Sequence, residues 1–167
     1  MKAIVTGGMG FIGSHLVELL LKKNFNVIVI DNLSTGKKEN LKNSLKKIKF
    51  VCADLSNKKK IIDHFRGVDF VFHLAALADI VPSIQNPNEY FRANVDGTLN
   101  VLECSKKYKI KKIIYSASAS CYGITKKFPT DEKSKIEVMY PYALTKWMGE
   151  ELVMHWSKVY KIKVNSL

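Results

Sequence analysis

Short runs of β-branched and aromatic residues alternate with helix-patterned segments along the whole chain, and that alternation most restricts what it can fold into. The runs 2–7, 26–31, 48–54, 69–75 and 111–118 read as strands, and a sixth begins at 161. Several, such as "NVIVID", are apolar on both faces, as strands buried inside a parallel sheet must be. Between them, segments 11–23, 57–66, 88–107 and 142–160 carry apolar residues at helical spacing. Strand and helix in alternation build βαβ units with right-handed crossovers, so the expected fold is α/β, a doubly wound parallel sheet of the Rossmann kind, cut short at about the sixth strand. No linker, repeat or low-complexity stretch divides residues 1–167, which read as one domain.

The first strand ends in "IVTGGMGFIGSHLVELL" (4–20), with glycines at Gly7, Gly10 and Gly13 leading into a helix. Glycine permits a tight turn, lets backbone approach a pyrophosphate and lets the helix pack close to the sheet. The free N–H groups of that helix start, near Phe11 and Ile12, face the anion with a partial positive charge. The spacing G-x-x-G-x-x-G is tighter than the usual dinucleotide fingerprint. Asp31 closes the second strand, where an acid bonds a ribose 2′-hydroxyl and repels a 2′-phosphate. Loop and acid together point to NAD rather than NADP.

"MYPYALTK" (139–146) places Tyr142 and Lys146 four apart, on one face of a helix, whereas Tyr140 stands six before the lysine and does not share it. Pro141 suits the first helical turn. Taken alone, this spacing also describes a surface pair.

Net charge is +12, carried almost wholly by lysine, with Arg66 and Arg92 as the arginines. Lysine spread over every segment reads as a solvated surface rather than a nucleic-acid footprint, where arginine forks are favoured. No apolar run is long enough to span a bilayer and the N-terminus lacks a signal-peptide core, so a cytoplasmic protein is expected, without nucleic-acid or membrane partners. Cys52, Cys104 and Cys121 suit neither a disulfide frame nor a zinc site and are expected as small core residues. His73 reads as a satisfied core or second-layer histidine, and no metal set accompanies it.

"TGGMGFIGSHL", "DNLSTG" (31–36), "HLAA" (73–76), "NVDGTLNVLE" (94–103), "SASASCYG" (116–123) and "YALTK" (142–146) occur in that order. On these motifs the chain resembles the extended short-chain dehydrogenase/reductase family, in its nucleotide-sugar epimerase/dehydratase branch, and looks most like the 4-epimerases of UDP-hexoses and UDP-N-acetylhexosamines. The resemblance implies NAD as cofactor and a nucleotide-sugar, a UDP-sugar, as substrate. It implies that Asp31 and Asn32 hold the adenosine ribose and that Asp54 and Leu55 flank the adenine. Leu74, Ala75 and Ala76 line the cofactor, and Asn94 lies near the active site. It makes Ser118 the catalytic hydroxyl, Tyr142 the acid/base and Lys146 its partner, both also touching the cofactor. From the residues alone, Asp54 equally caps the segment after it, and Asn94 equally belongs to a helix surface.

Resembling 4,6-dehydratases carry an Asp-Glu pair after the catalytic hydroxyl, and resembling decarboxylases a glutamate; here Ala119 and Ser120 stand in those places. That favours epimerisation through a transient 4-keto sugar over elimination; another oxidoreductase or uronate epimerase of the branch stays open, as does a non-catalytic NAD-binding module. Family members are roughly twice as long, so the resemblance implies that the substrate-binding lobe is absent from 1–167. It also implies a homodimer through the helices near 88–107 and 142–160, although apolar residues on several faces of both equally serve sheet packing.

Overall fold

The computed structural model describes residues 1–125 and 128–167. Its elements run β1 (Lys2–Thr6), α1 (Phe11–Lys22), β2 (Asn26–Asp31), β3 (Lys49–Cys52), α2 (Lys58–Ile61), β4 (Phe70–His73), α3 (Ile80–Gln85), α4 (Pro87–Tyr90), a π-helical segment (Phe91–Asp96), α5 (Gly97–Lys107), β5 (Lys112–Tyr115), α6 (Pro141–Tyr160) and β6 (Lys163–Ser166). Short 3-10 turns cover Lys38–Leu41, Leu45–Lys47, Ile62–Phe65 and Ala119–Tyr122.

All strand pairs are parallel, in the order β3-β2-β1-β4-β5-β6. This is the expected doubly wound sheet. Alternate side chains of β1 and β2 separate two cores. Ile4, Ile28 and Ile30 meet Val101 and Leu102 of α5 and Val153 of α6 on one face. Ala3, Val5, Val27 and Val29 meet Val17 and Leu20 of α1 on the other. The order reverses between β1 and β4, so the carboxyl ends of these two strands open a crevice where α/β sheets bind ligands.

Three expectations change. The helix expected over 88–107 is broken into α4, a π-helical turn and α5; hydrophobic spacing does not encode the extra residue that a π turn inserts. Helix α3 was not expected: it has six residues, with Ile80, Val81 and Ile84 all exposed, so it lacks the buried stripe that periodicity detects. Cys104 and Cys121 are buried, but Cys52 is exposed, because it ends the edge strand β3, whose residues are nowhere fully covered.

No helix among the described residues is long and apolar enough to cross a membrane. Part of the lysine excess ties elements together at the surface, through Lys58–Glu103 and Lys111–Asp69, each at 2.6 Å.

Helix α5 ends in a Schellman motif: the Ile110 N–H reaches the Ser105 carbonyl (3.0 Å) and the Lys109 N–H that of Lys106 (3.2 Å). Buried Ile110 locks the turn to the core, forcing exposed Lys109 to a φ of 53°. Asn24 holds the matching place after α1 at 59°, where its short amide tolerates the left-handed region better than lysine does. Lys109→Gly is therefore expected to raise the unfolding free energy by about 1 kcal/mol, read as a higher urea midpoint at unchanged slope.

Candidate active site

The crevice is a cleft of about 490 Å³. Around it lie Gly7, Gly10, Phe11, Ile12 and Gly13 from the loop and α1; Asp31 at the end of β2 and Asn32 after it; Asp54 and Leu55 after β3; and Leu74, Ala75 and Ala76 after β4. Every one was singled out in the sequence, and the topology gathers them because all lie at or after the carboxyl ends of neighbouring strands.

The loop is built by close approach. Gly7 sits at φ 68°, and a Cβ there would lie 2.8 Å from the Ala75 backbone; one at Gly13 would run into the Gly7 carbonyl. Helix α1 starts with neither a side-chain cap nor an acidic residue in its first turn, so its leading N–H groups remain available to an anion. Phe11 and Ile12 are exposed at that start. This cradle fits a pyrophosphate.

Asp31 does more than face the cleft. Its Oδ2 accepts from the Met9 N–H (2.9 Å) and its Oδ1 from the Leu33 N–H (2.8 Å), fastening the glycine loop to the turn after β2. Each oxygen keeps a second lone pair for another donor. Asp54 accepts from the Ser56 N–H (2.8 Å), so it caps its own turn, and it meets Arg92 at 3.3 Å. Partial burial pushes its carboxyl up, but Ser56, Arg92 and Asn32 together outweigh that and hold it below the ordinary value. Asn32 accepts from the Ser34 N–H (3.0 Å).

Beyond Ser116, which also lines the cleft, lies the tyrosine centre. Tyr142 and Lys146 stand on the first turns of α6, with Pro141 at its start. The Tyr142 hydroxyl donates to Ser118 Oγ (3.3 Å), and Ser118 Oγ lies 2.7 Å from Ser120 Oγ. Ser118 caps the turn Ala119–Tyr122, which presents only hydroxyls here and no carboxylate. Tyr140 serves as the α6 cap residue, its ring stacked on that of Tyr142 at 6.5 Å.

Lys146 is buried; its ammonium donates to the Ser116 carbonyl at 2.5 Å and lies 4.3 Å from the Tyr115 ring centre. Burial pushes its pKa down to about 8. Tyr115 comes this close only because Gly149 is a glycine: a Cβ there would strike the Tyr115 hydroxyl, which donates to the Lys146 carbonyl (3.2 Å).

Asn94 lies off the cleft lining and is buried in the π-helical turn, not on a helix surface. Its side chain clamps Leu77 by both N–H (2.9 Å) and carbonyl (3.0 Å) and donates to Thr145 Oγ1 (3.0 Å). His73 is buried between Thr6 and Thr98, and no metal-ligating cluster occurs among the described residues. Sequence reading did not single out Thr6, Met9, Thr98, Tyr115, Thr145 or Gly149, since each acts through a contact distant in the chain.

Residues 3–167 match the NAD dependent epimerase/dehydratase family. The chain belongs to that family. It is 38% identical over 161 residues to a bifunctional UDP-glucose 4-epimerase and UDP-xylose 4-epimerase of Pisum sativum, covering 90% of this chain and 46% of the relative. Among solved structures, a UDP-glucose 4-epimerase of Thermotoga maritima with UDP-glucose superposes with a TM-score of 0.94 at 36% identity, covering 99% of this chain and 54% of that one. A double mutant of a dTDP-glucose 4,6-dehydratase from Streptomyces venezuelae with NAD bound also gives 0.94, at 29% identity, covering 99% and 54%. The chain thus spans about half the length of these relatives.

The Lys146 ammonium is desolvated on folding, which fixes the sign of a pH effect. Its native pKa of about 8 lies below the ordinary 10.5, so the folded chain binds fewer protons between those values and gains stability as pH rises. From about pH 7 to pH 9.5 the unfolding free energy should rise by about 2 kcal/mol more in the parent chain than in Lys146→Met. Urea titrations at the two pH values measure this; equal gains would contradict it.

Proposed function

We propose that this chain is the NAD-binding and catalytic half of a nucleotide-sugar 4-epimerase acting on UDP-hexose or UDP-N-acetylhexosamine. The observation that carries the reading is the Tyr142–Ser118 hydroxyl pair beside an uncharged turn. Both a 4-epimerase and a 4,6-dehydratase superpose equally well, so backbone shape does not choose between them. The turn chemistry supports epimerisation: elimination of water needs an acid and a base that Ala119 and Ser120 cannot supply.

The glycine loop and the start of α1 hold the pyrophosphate of NAD, and Asp31 accepts from the adenosine ribose while disfavouring a 2′-phosphate. Asn32, Asp54 and Leu55 enclose the adenosine end, and Leu74, Ala75 and Ala76 form the wall toward the nicotinamide. Bound NAD supplies the hydride acceptor and donor. Tyr142 takes the proton from the sugar 4-hydroxyl and later returns one, and Ser118 holds that oxygen throughout. Lys146 contributes positive charge that favours the phenolate and a donor for the nicotinamide ribose. Turning the 4-keto sugar between the two transfers inverts C4 with no net oxidation. Asn94 serves the site by fixing Leu77 and α6.

A second reading is an NAD-binding unit that does not turn sugar over by itself, favoured by the half-length match to the relatives. We also propose a cytoplasmic homodimer, supported by Met154, Val159 and Tyr160 exposed along α6; sedimentation equilibrium at twice the monomer mass is the expected result.

Calorimetric titration with NAD and NADP, followed by assay of UDP-glucose/UDP-galactose and UDP-GlcNAc/UDP-GalNAc interconversion, tests the main reading. NAD should bind at least about tenfold more tightly than NADP. Tyr142→Phe should keep NAD binding and lower turnover by about a thousandfold. NAD binding with no turnover in the parent chain would select the second reading, and preference for NADP would overturn the role of Asp31.

A further inference from the structure

A line of buried hydrogen bonds runs from the residue before Gly7 to the backbone of Tyr142, and its polarity can be worked out. Thr98 Oγ1 donates to the Asn94 carbonyl (2.6 Å). It has one proton, so toward His73 Nε2, 2.9 Å away, it can only accept. Nε2 therefore carries the imidazole proton, and Nδ1 accepts from Thr6 Oγ1 at 2.7 Å. The lone pairs of Thr6 Oγ1 in turn receive the N–H groups of Leu74 and Ala75, each at 3.2 Å, in the cleft wall. From Asn94 the line continues through its side chain to Thr145 Oγ1 (3.0 Å), which donates to the Tyr142 carbonyl (2.9 Å).

We propose that His73, as the neutral Nε2–H tautomer, is a positioning residue that sets the cofactor wall at Leu74 and Ala75 and, through Thr98 and Asn94, the catalytic turn at Tyr142. Each of its ring nitrogens has one partner, and the two partners belong to different halves of the site. An imidazole protonated at both nitrogens would turn Nδ1 into a donor facing the Thr6 hydroxyl, which has already lent its lone pairs to two backbone N–H groups. The surroundings oppose that state too. The ring is 2% exposed, the Tyr115 ring lies 5.7 Å away and the Lys146 charge acts on it from α6, so burial first and Lys146 second hold its pKa down to about 3. Such fully satisfied buried networks are rigid, and a partly satisfied one is costly. This inference rests on the proposed cofactor reading only for the binding arm of its test.

With 15N-labelled histidine, long-range 1H–15N spectra of the chain should show His73 with an unprotonated Nδ1 and a protonated Nε2, unchanged from about pH 5 to pH 8. The opposite tautomer, or an imidazolium within that range, would overturn the proposal. In parallel, His73→Phe should weaken NAD binding by about tenfold. His73→Gln, which can still donate to Thr98, should recover most of the loss. Thr98→Val should cost a similar factor, and combining it with His73→Phe should add little, because both cut one line. Unaltered NAD affinity in His73→Phe, or fully additive losses, would also overturn it. If His73→Phe does not fold, the Gln and Thr98→Val variants and the spectrum decide. If the parent chain binds no NAD, the cofactor reading alone fails, and the spectrum still decides the tautomer.

Discussion

The approach of Gly13 to the Gly7 carbonyl sets the scale of everything near the cleft. A methyl group at either glycine would push α1 off the sheet or β4 away from β1. Because neither carries one, the helix start sits directly over the ends of two adjacent strands. The residues after β1, β2, β3 and β4 then fall within reach of a single bound molecule. Asp31 shares in this by holding Met9 while its strand neighbours fill the core, so the same carboxylate that faces the cleft also fixes the loop. Cleft lining and architecture use the same atoms here, and a substitution at Asp31 would disturb both.

The tyrosine centre is organised differently. Its chemistry-bearing groups sit on α6 and on the turn after β5, two elements joined by close contact rather than by sequence. Gly149 lets Tyr115 reach the α6 backbone, Lys146 reaches back to Ser116, and Tyr142 meets Ser118. The lysine is thus anchored in the core at the carboxyl end of β5 rather than waving at the surface, which accounts for its depressed pKa and for the definite placement of its charge.

Much of this was legible in the sequence because it is written in local spacing. Short β-branched and aromatic runs gave the strands, three glycines before an apolar helix gave the close-packed loop, and a four-residue interval put Tyr142 and Lys146 on one face. What escaped was set by contacts between segments far apart in the chain. Thr6, His73 and Thr98 are separated by 67 and 25 residues, and nothing in their own neighbourhoods marks them as partners. Lys109 shows the opposite failure: its neighbourhood lacks the glycine that usually closes a helix, yet tertiary packing of Ile110 imposes the closure. Cys52 was misjudged because apolar composition says nothing about which strand lies at the sheet edge, and the helix surface that the residues alone also allowed for Asn94 is ruled out by its burial against Leu77 and Thr145.

The π-helical turn at Phe91–Asp96 bears on how this region can change length. An α-helical residue advances the chain by about 100° of rotation, and a π turn takes up one extra residue in its wider winding, so a single deletion that restored regular winding would leave the two flanks of the helix in nearly the same rotational phase. Tyr90, packed edge-on against Tyr142 at 6.5 Å, would then keep its place beside that ring while α5 kept its seat on the sheet. The segment therefore absorbs phase: one residue more or fewer is taken up as a change of winding between Phe91 and Asp96.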